Sequence, residues 1–72
     1  MAGKDPGNVL SEQSAERRAE IVEAARELYD TQGLASTTVK DITEKVGVSR
    51  SLLYHYFASK EDVTQAVLDS YV

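Results

Sequence analysis

The chain contains no cysteine, which excludes a disulfide framework and thiolate metal sites. Its single histidine, His55, cannot hold a metal alone. No apolar run approaches the roughly 18 residues that a membrane span needs. The opening segment MAGKDPGNVLSEQ lacks an apolar stretch behind a basic start, so it is not a secretory signal. These absences predict a soluble, cytoplasmic protein with no membrane partner. The glycines, at positions 3, 7, 33 and 47, fit neither a dinucleotide fingerprint nor a P-loop, and there is no G-x-S-x-G elbow. Ser51 and Ser59 lie four residues either side of His55, but no carboxylate is placed to orient the imidazole. A chain of 72 residues is also too short to enclose a reaction site. No catalytic residue, cofactor or metal is expected, and the chain is read as a non-enzyme.

Positive charge is scarce as well. The net charge is −4, an unpromising balance for a nucleic-acid ligand. Its distribution is uneven. Residues 1–34 carry four bases against seven acids, and residues 61–72 carry three acids and no base. Residues 35–60 carry Lys40, Lys45, Arg50 and Lys60 against Asp41 and Glu44, a local net of +2.

That positive segment is also the patterned one. Thr38 with Asp41 forms a capping-box-like pair, and Val39, Ile42 and Val46 make the inner face of a short helix that Gly47 stops. Val48 turns back as an apolar anchor. Ser49 caps a further helix, with Leu53 and Phe57 inward, that ends at Ala58-Ser59. Ser59 with Asp62 caps a last helix whose Val63, Ala66 and Val67 face inward, with Tyr71 as a further candidate. No stop signal precedes Val72, as if a longer protein continued beyond it. Upstream, Ser11 or Ser14 can cap a first helix in which Ile21, Ala24, Ala25 and Leu28 follow helical spacing, Tyr29 extends the stripe and Gly33 ends it. Two glycines and the only proline fall in residues 1–10, which predicts a disordered arm over residues 1–13 and a folded domain over 14–72. The expected fold is all-α, with four helices and no strand. Helices 2 and 3 have the layout of a helix-turn-helix.

In such a motif the first residues of the second helix face base edges in the major groove. Here these are Ser49, Arg50 and Ser51. Arginine suits a bidentate contact with guanine, and a cation at a helix N-terminus otherwise opposes the helix dipole. Tyr54, His55 and Tyr56 are consecutive, so they cannot all face inward beside Leu53 and Phe57. The expected base contacts are Arg50, Ser51 and His55. The expected phosphate contacts are Thr38, Ser49, Tyr54, Tyr56 and Lys60. Lys60 opens the fourth helix, where an anion would offset the same dipole conflict. Thr37 beside Thr38 offers a second helix start that could grip phosphate. Plainer readings stand beside several of these residues: capping for Thr37, Thr38 and Ser49, half-burial for the tyrosines, solvation for Arg50. Lys40, Lys45, Arg17 and Arg18 are read as solvated charges.

The run TTVKDITEKVGVSRSLLYHYFASKEDV, preceded by a basic-acidic helix ending in LYDTQG, resembles the N-terminal DNA-binding domain of TetR/AcrR-family transcriptional regulators. The resemblance covers residues 16–72. It implies a three-helix DNA-binding bundle with the start of a fourth, linking helix, and a repressor that binds double-stranded DNA at a palindromic operator. It also implies a C-terminal domain, absent from this sequence, that binds ligands and forms the homodimer. By position, Thr38, Arg50, Ser51, Tyr54, His55, Tyr56 and Lys60 correspond to the family's usual DNA contacts. One departure is Ser51-Leu52, where a small residue and threonine are common; an apolar side chain there has only thymine methyls to read. The competing reading, favoured by the net negative charge, is a helical protein-interaction module that has kept the fold and lost DNA binding.

Overall fold

A computed structural model describes residues 6–71, with side chains from Ser14 onward. Four helices and no strand occur among the described residues: α1 (Pro6–Gln32), α2 (Val39–Val46), α3 (Arg50–Tyr56) and α4 (Lys60–Asp69). The first helix starts earlier than its serines predict. Residues 6–13, expected to belong to a disordered arm, are helical, so neither Ser11 nor Ser14 caps α1. Proline is well suited to the first helical position, because its fixed φ is already helical and its missing N–H would have had no partner there. Nothing between Pro6 and Gln13 breaks a helix except Gly7. The expectation for residues 1–5 lies outside the described residues.

At the far end of α1, Gly33 takes φ +88°, and its N–H donates to the Tyr29 carbonyl at 3.0 Å. The stripe along α1 buries Ile21, Ala24 and Ala25, while Leu28 and Tyr29 pack at the margin. Helices α2 and α3 have only eight and seven residues, too few to persist alone in water. Each is held by its caps and by the core. Thr38 and Asp41 form a complete capping box on α2: the Thr38 hydroxyl accepts from the Asp41 N–H at 3.1 Å, and the Asp41 carboxylate accepts from the Thr38 N–H at 3.0 Å. Gly47 closes α2 at φ +86°, a conformation that side chains disfavour. A Cβ there would meet no atom within 4 Å, so backbone conformation alone demands glycine. Val48, expected as the core anchor of the turn, is half-buried.

Ser49 caps α3, its hydroxyl accepting from the Leu52 N–H at 3.1 Å. The chain leaves the helix at Phe57, one residue before the expected Ala58-Ser59 end, with φ −134° and ψ 135°. The Phe57 N–H still reaches the Leu53 carbonyl at 2.9 Å. Ser59 caps α4 by accepting from the Asp62 N–H, and the Asp62 carboxylate reaches back to the Ala58 N–H at 3.0 Å. Helix α4 does end, at Asp69, where the Ser70 N–H shares the carbonyls of Ala66 and Val67. Tyr71 is exposed rather than inward, under the guanidinium of Arg26 at 4.8 Å.

The core is one cluster drawn from every helix: Ile21, Ala24 and Ala25 from α1, Ile42 from α2, Leu53 with adjoining Phe57 from α3, and Val63, Ala66 and Val67 from α4. A hydrogen bond of 2.9 Å between the hydroxyls of Tyr29 and Thr64 ties α1 to α4. Phe57 is 2% exposed and carries the guanidinium of Arg18 5.0 Å from its ring centre. Phe57→Ala should therefore cost about 3–5 kcal/mol, most of the stability of so small a domain. A thermal melt with an unchanged midpoint would contradict this packing.

Candidate nucleic-acid interface

The α2–α3 turn is three residues long, Gly47-Val48-Ser49, and two of its N–H groups converge on one acceptor. Gly47 and Val48 both donate to the Thr43 carbonyl, at 2.7 and 3.0 Å. Thr43 is buried, and its hydroxyl is occupied by the Lys40 carbonyl at 2.9 Å. The turn thus holds α3 in a set attitude to α2.

Along α3, successive side chains turn by about 100°. Leu53 is fully buried, so Ser51 and His55 point the opposite way. Arg50 and Tyr54 flank that outward face on one side, Leu52 and Tyr56 on the other. Exposure follows this geometry: Arg50, Ser51, Tyr54 and His55 are exposed, while Leu52 and Tyr56 are half-buried. Tyr54 is 48% exposed, which identifies it as a surface aromatic rather than a core one. Tyr56 packs against the core, with its ring edge-on to His55 at 5.0 Å between centres. Arg50 makes no ion pair among the described residues.

The other site residues lie at helix starts. Thr38 and Ser49 are exposed N-caps whose hydroxyls each accept from a backbone N–H. Thr37 next door is different. It is fully buried, with its hydroxyl donating to the Gly33 carbonyl at 2.8 Å, so it braces the turn and faces no ligand. Lys60 is half-buried, and its Nζ donates to the Leu34 carbonyl at 2.8 Å. No local pattern announces this bond, which joins residues 26 apart.

The remaining cations of the positive segment have protein partners. Lys45 pairs with Glu27 of α1 at 3.3 Å, and Lys40 approaches Glu44 at 3.9 Å. Arg17 pairs with Glu20 at 2.7 Å. Arg18 is exposed, as its reading as a solvated charge expects, and its guanidinium also lies over the Phe57 ring.

An all-helical bundle with a tight helix-turn-helix and a polar, exposed outer face on the second helix of that motif has the architecture of the helix-turn-helix class of DNA-binding domains. The chain belongs to the tetR family of bacterial regulatory proteins, whose family model matches residues 21–67. It is 44% identical over 59 residues to the HTH-type transcriptional regulator TtgR of Pseudomonas putida, an overlap of 82% of this chain and 28% of that protein. It is 38% identical over 60 residues to the HTH-type transcriptional repressor KstR2 of Mycolicibacterium smegmatis, covering 83% of this chain and 29% of the relative. The chain thus spans less than a third of the length of these relatives. No described helix is long and apolar enough to cross a membrane.

The Asp41 carboxylate that closes the α2 cap is held below its ordinary pKa, chiefly by the Thr38 backbone N–H, with help from the Thr38 hydroxyl, Gln32 and Lys40. A carboxylate depressed in the folded state stabilises above its unfolded pKa, and the contribution is lost as pH falls through the folded value. Thermal midpoints recorded from about pH 6 down to about pH 2 should therefore fall less steeply for Asp41→Asn than for the native chain. Parallel curves would show that the capping carboxylate does not couple to folding.

Proposed function

We propose that this chain binds double-stranded DNA in a sequence-specific manner as the reading head of a transcriptional repressor, with α3 in the major groove. The observation that carries this reading is the outer face of α3, where Arg50, Ser51, Tyr54 and His55 are exposed together behind the Ser49 cap. A solvated helix has no reason to place an unpaired arginine at its positive end. Arg50, Ser51 and His55 read bases. Thr38, Ser49, Tyr54, Tyr56 and Lys60 meet the flanking phosphates. The Tyr56 hydroxyl makes no hydrogen bond within the described residues, and two N–H groups of Lys60 remain beside the one on Leu34. Residues 14–72 are the DNA-binding unit, working in the cytoplasm without enzymatic activity. In the full-length regulator a C-terminal domain pairs two such units on a palindromic operator.

The rival reading, a protein-interaction module, rests on the net charge of −4. It leaves the polar face of α3 without a role. A titration with duplex DNA at two salt concentrations decides between them, because phosphate binding weakens with salt.

Two substitutions should fail differently. Arg50→Ala should cost about 1–3 kcal/mol on the preferred site and relax the preference at one base pair. Tyr54→Phe should weaken all duplexes alike, by about 1 kcal/mol, and leave the salt slope nearly unchanged. Binding to the preferred site, a one-base variant and random duplex measures both. An equal loss on all three for Arg50→Ala would make Arg50 a backbone anchor. The 72-residue chain alone should be a monomer at micromolar concentration and engage one half-site, forgoing the roughly 10²- to 10⁴-fold gain of a paired reader. Sedimentation as a tight dimer without DNA would contradict that.

A further inference from the structure

The turn between α1 and α2 delivers Thr38 to the proposed DNA surface, and it is tethered from three sides. From within, the buried Thr37 donates its hydroxyl to the Gly33 carbonyl at 2.8 Å and its N–H to the Leu34 carbonyl at 3.3 Å. From α1, the Gln32 side-chain amide donates to the Ser36 carbonyl at 3.2 Å and to the Asp41 carboxylate at 3.1 Å. The third tether comes from α4. The Lys60 ammonium donates to the Leu34 carbonyl at 2.8 Å, sharing that acceptor with the Thr37 N–H. Lys60 makes no ion pair among the described residues. Its charge stands at the first position of α4, where the helix dipole opposes it, and the carbonyl bond offsets that conflict.

We propose that Lys60 is a positioning residue: through the Leu34 carbonyl it locks the residue 34–38 turn to the start of α4 and so sets where Thr38, at the head of α2, meets the phosphate backbone. The turn's other two tethers begin in α1 or in the turn itself. Among the described residues, Lys60 alone ties this turn to α4 by a hydrogen bond. The DNA half of this statement rests on the function proposed above; the clamp itself does not. Any contact between Lys60 and phosphate is then secondary to its bond with Leu34.

Lys60→Met keeps most of the stem and removes charge and donors, whereas Lys60→Arg keeps both. Without DNA, hydrogen exchange at the Thr37 amide should quicken about ten-fold in Lys60→Met, the worth of one charge-assisted hydrogen bond, and stay near native in Lys60→Arg. Lys60→Gln, which retains a donor on a shorter stem, serves as a second variant if the methionine form does not fold, and should also quicken exchange. With random-sequence duplex, Lys60→Met should weaken binding in the native background but much less in a Thr38→Ala background, since both act on one contact. Unchanged Thr37 exchange would overturn the clamp. Additive losses would show that Lys60 acts on the DNA independently of Thr38 and would equally overturn the positioning role. If the native chain shows no salt-sensitive binding, the proposed function fails, while the exchange measurement still decides whether the clamp exists.

Discussion

Everything on the outer face of α3 depends on the burial of Leu53 and Phe57. Helix α3 has too few residues to be stable by its own hydrogen bonds, and these two side chains, with Tyr56 at the margin, are what seat it in the shared core. Their burial also sets the rotation of α3, because a helix with one side chain fixed inward has its outer face decided. Ser51 and His55 point away from the protein for that reason alone. The extended backbone at Phe57 adds a second effect: it stops α3 and aims the next segment toward the α4 cap. Packing, rather than helix propensity, is therefore what makes a polar surface out of seven residues.

The local parts of this architecture are legible in the sequence, and the long-range parts are not. Thr38 with Asp41, Gly47, Ser49 and Ser59 mark helix ends through interactions that span three or four residues, so the chain order itself carries the signal. Leu53 and Phe57 are legible for a similar reason, as an apolar pair at helical spacing. The start of α1 is harder to place, because Ser11 and Ser14 mimic caps inside a helix that already begins at Pro6. Thr37 and Thr38 look alike in the sequence. One is buried and braces a turn while the other is exposed, and the difference lies in a fold that places Thr37 over the Gly33 carbonyl. Arg18 on Phe57 and Lys60 on Leu34 join residues far apart in the chain, which no spacing rule reaches.

The free positive charge is smaller than the local net of residues 35–60 implies. Lys45 and Lys40 lie beside Glu27 and Glu44, and Lys60 is engaged by a carbonyl. Exposed pairs of this kind are worth little to stability, but they dilute the field that a phosphate backbone would meet. That leaves Arg50 as the cation of this segment with no bonded partner among the described residues. A surface of this composition places more weight on hydroxyls, caps and aromatic edges than on cations, so its selectivity depends on shape and hydrogen bonding as much as on attraction.

The double acceptor at the Thr43 carbonyl has a consequence for the entropy of recognition. With the N–H groups of Gly47 and Val48 both engaged, and Gly47 confined to a left-handed backbone, the α2–α3 joint has little freedom to flex. The ordering of the two helices relative to one another is thus complete when the chain folds. A partner that meets them finds a rigid wedge and need not freeze a hinge, so more of each new contact survives as net affinity.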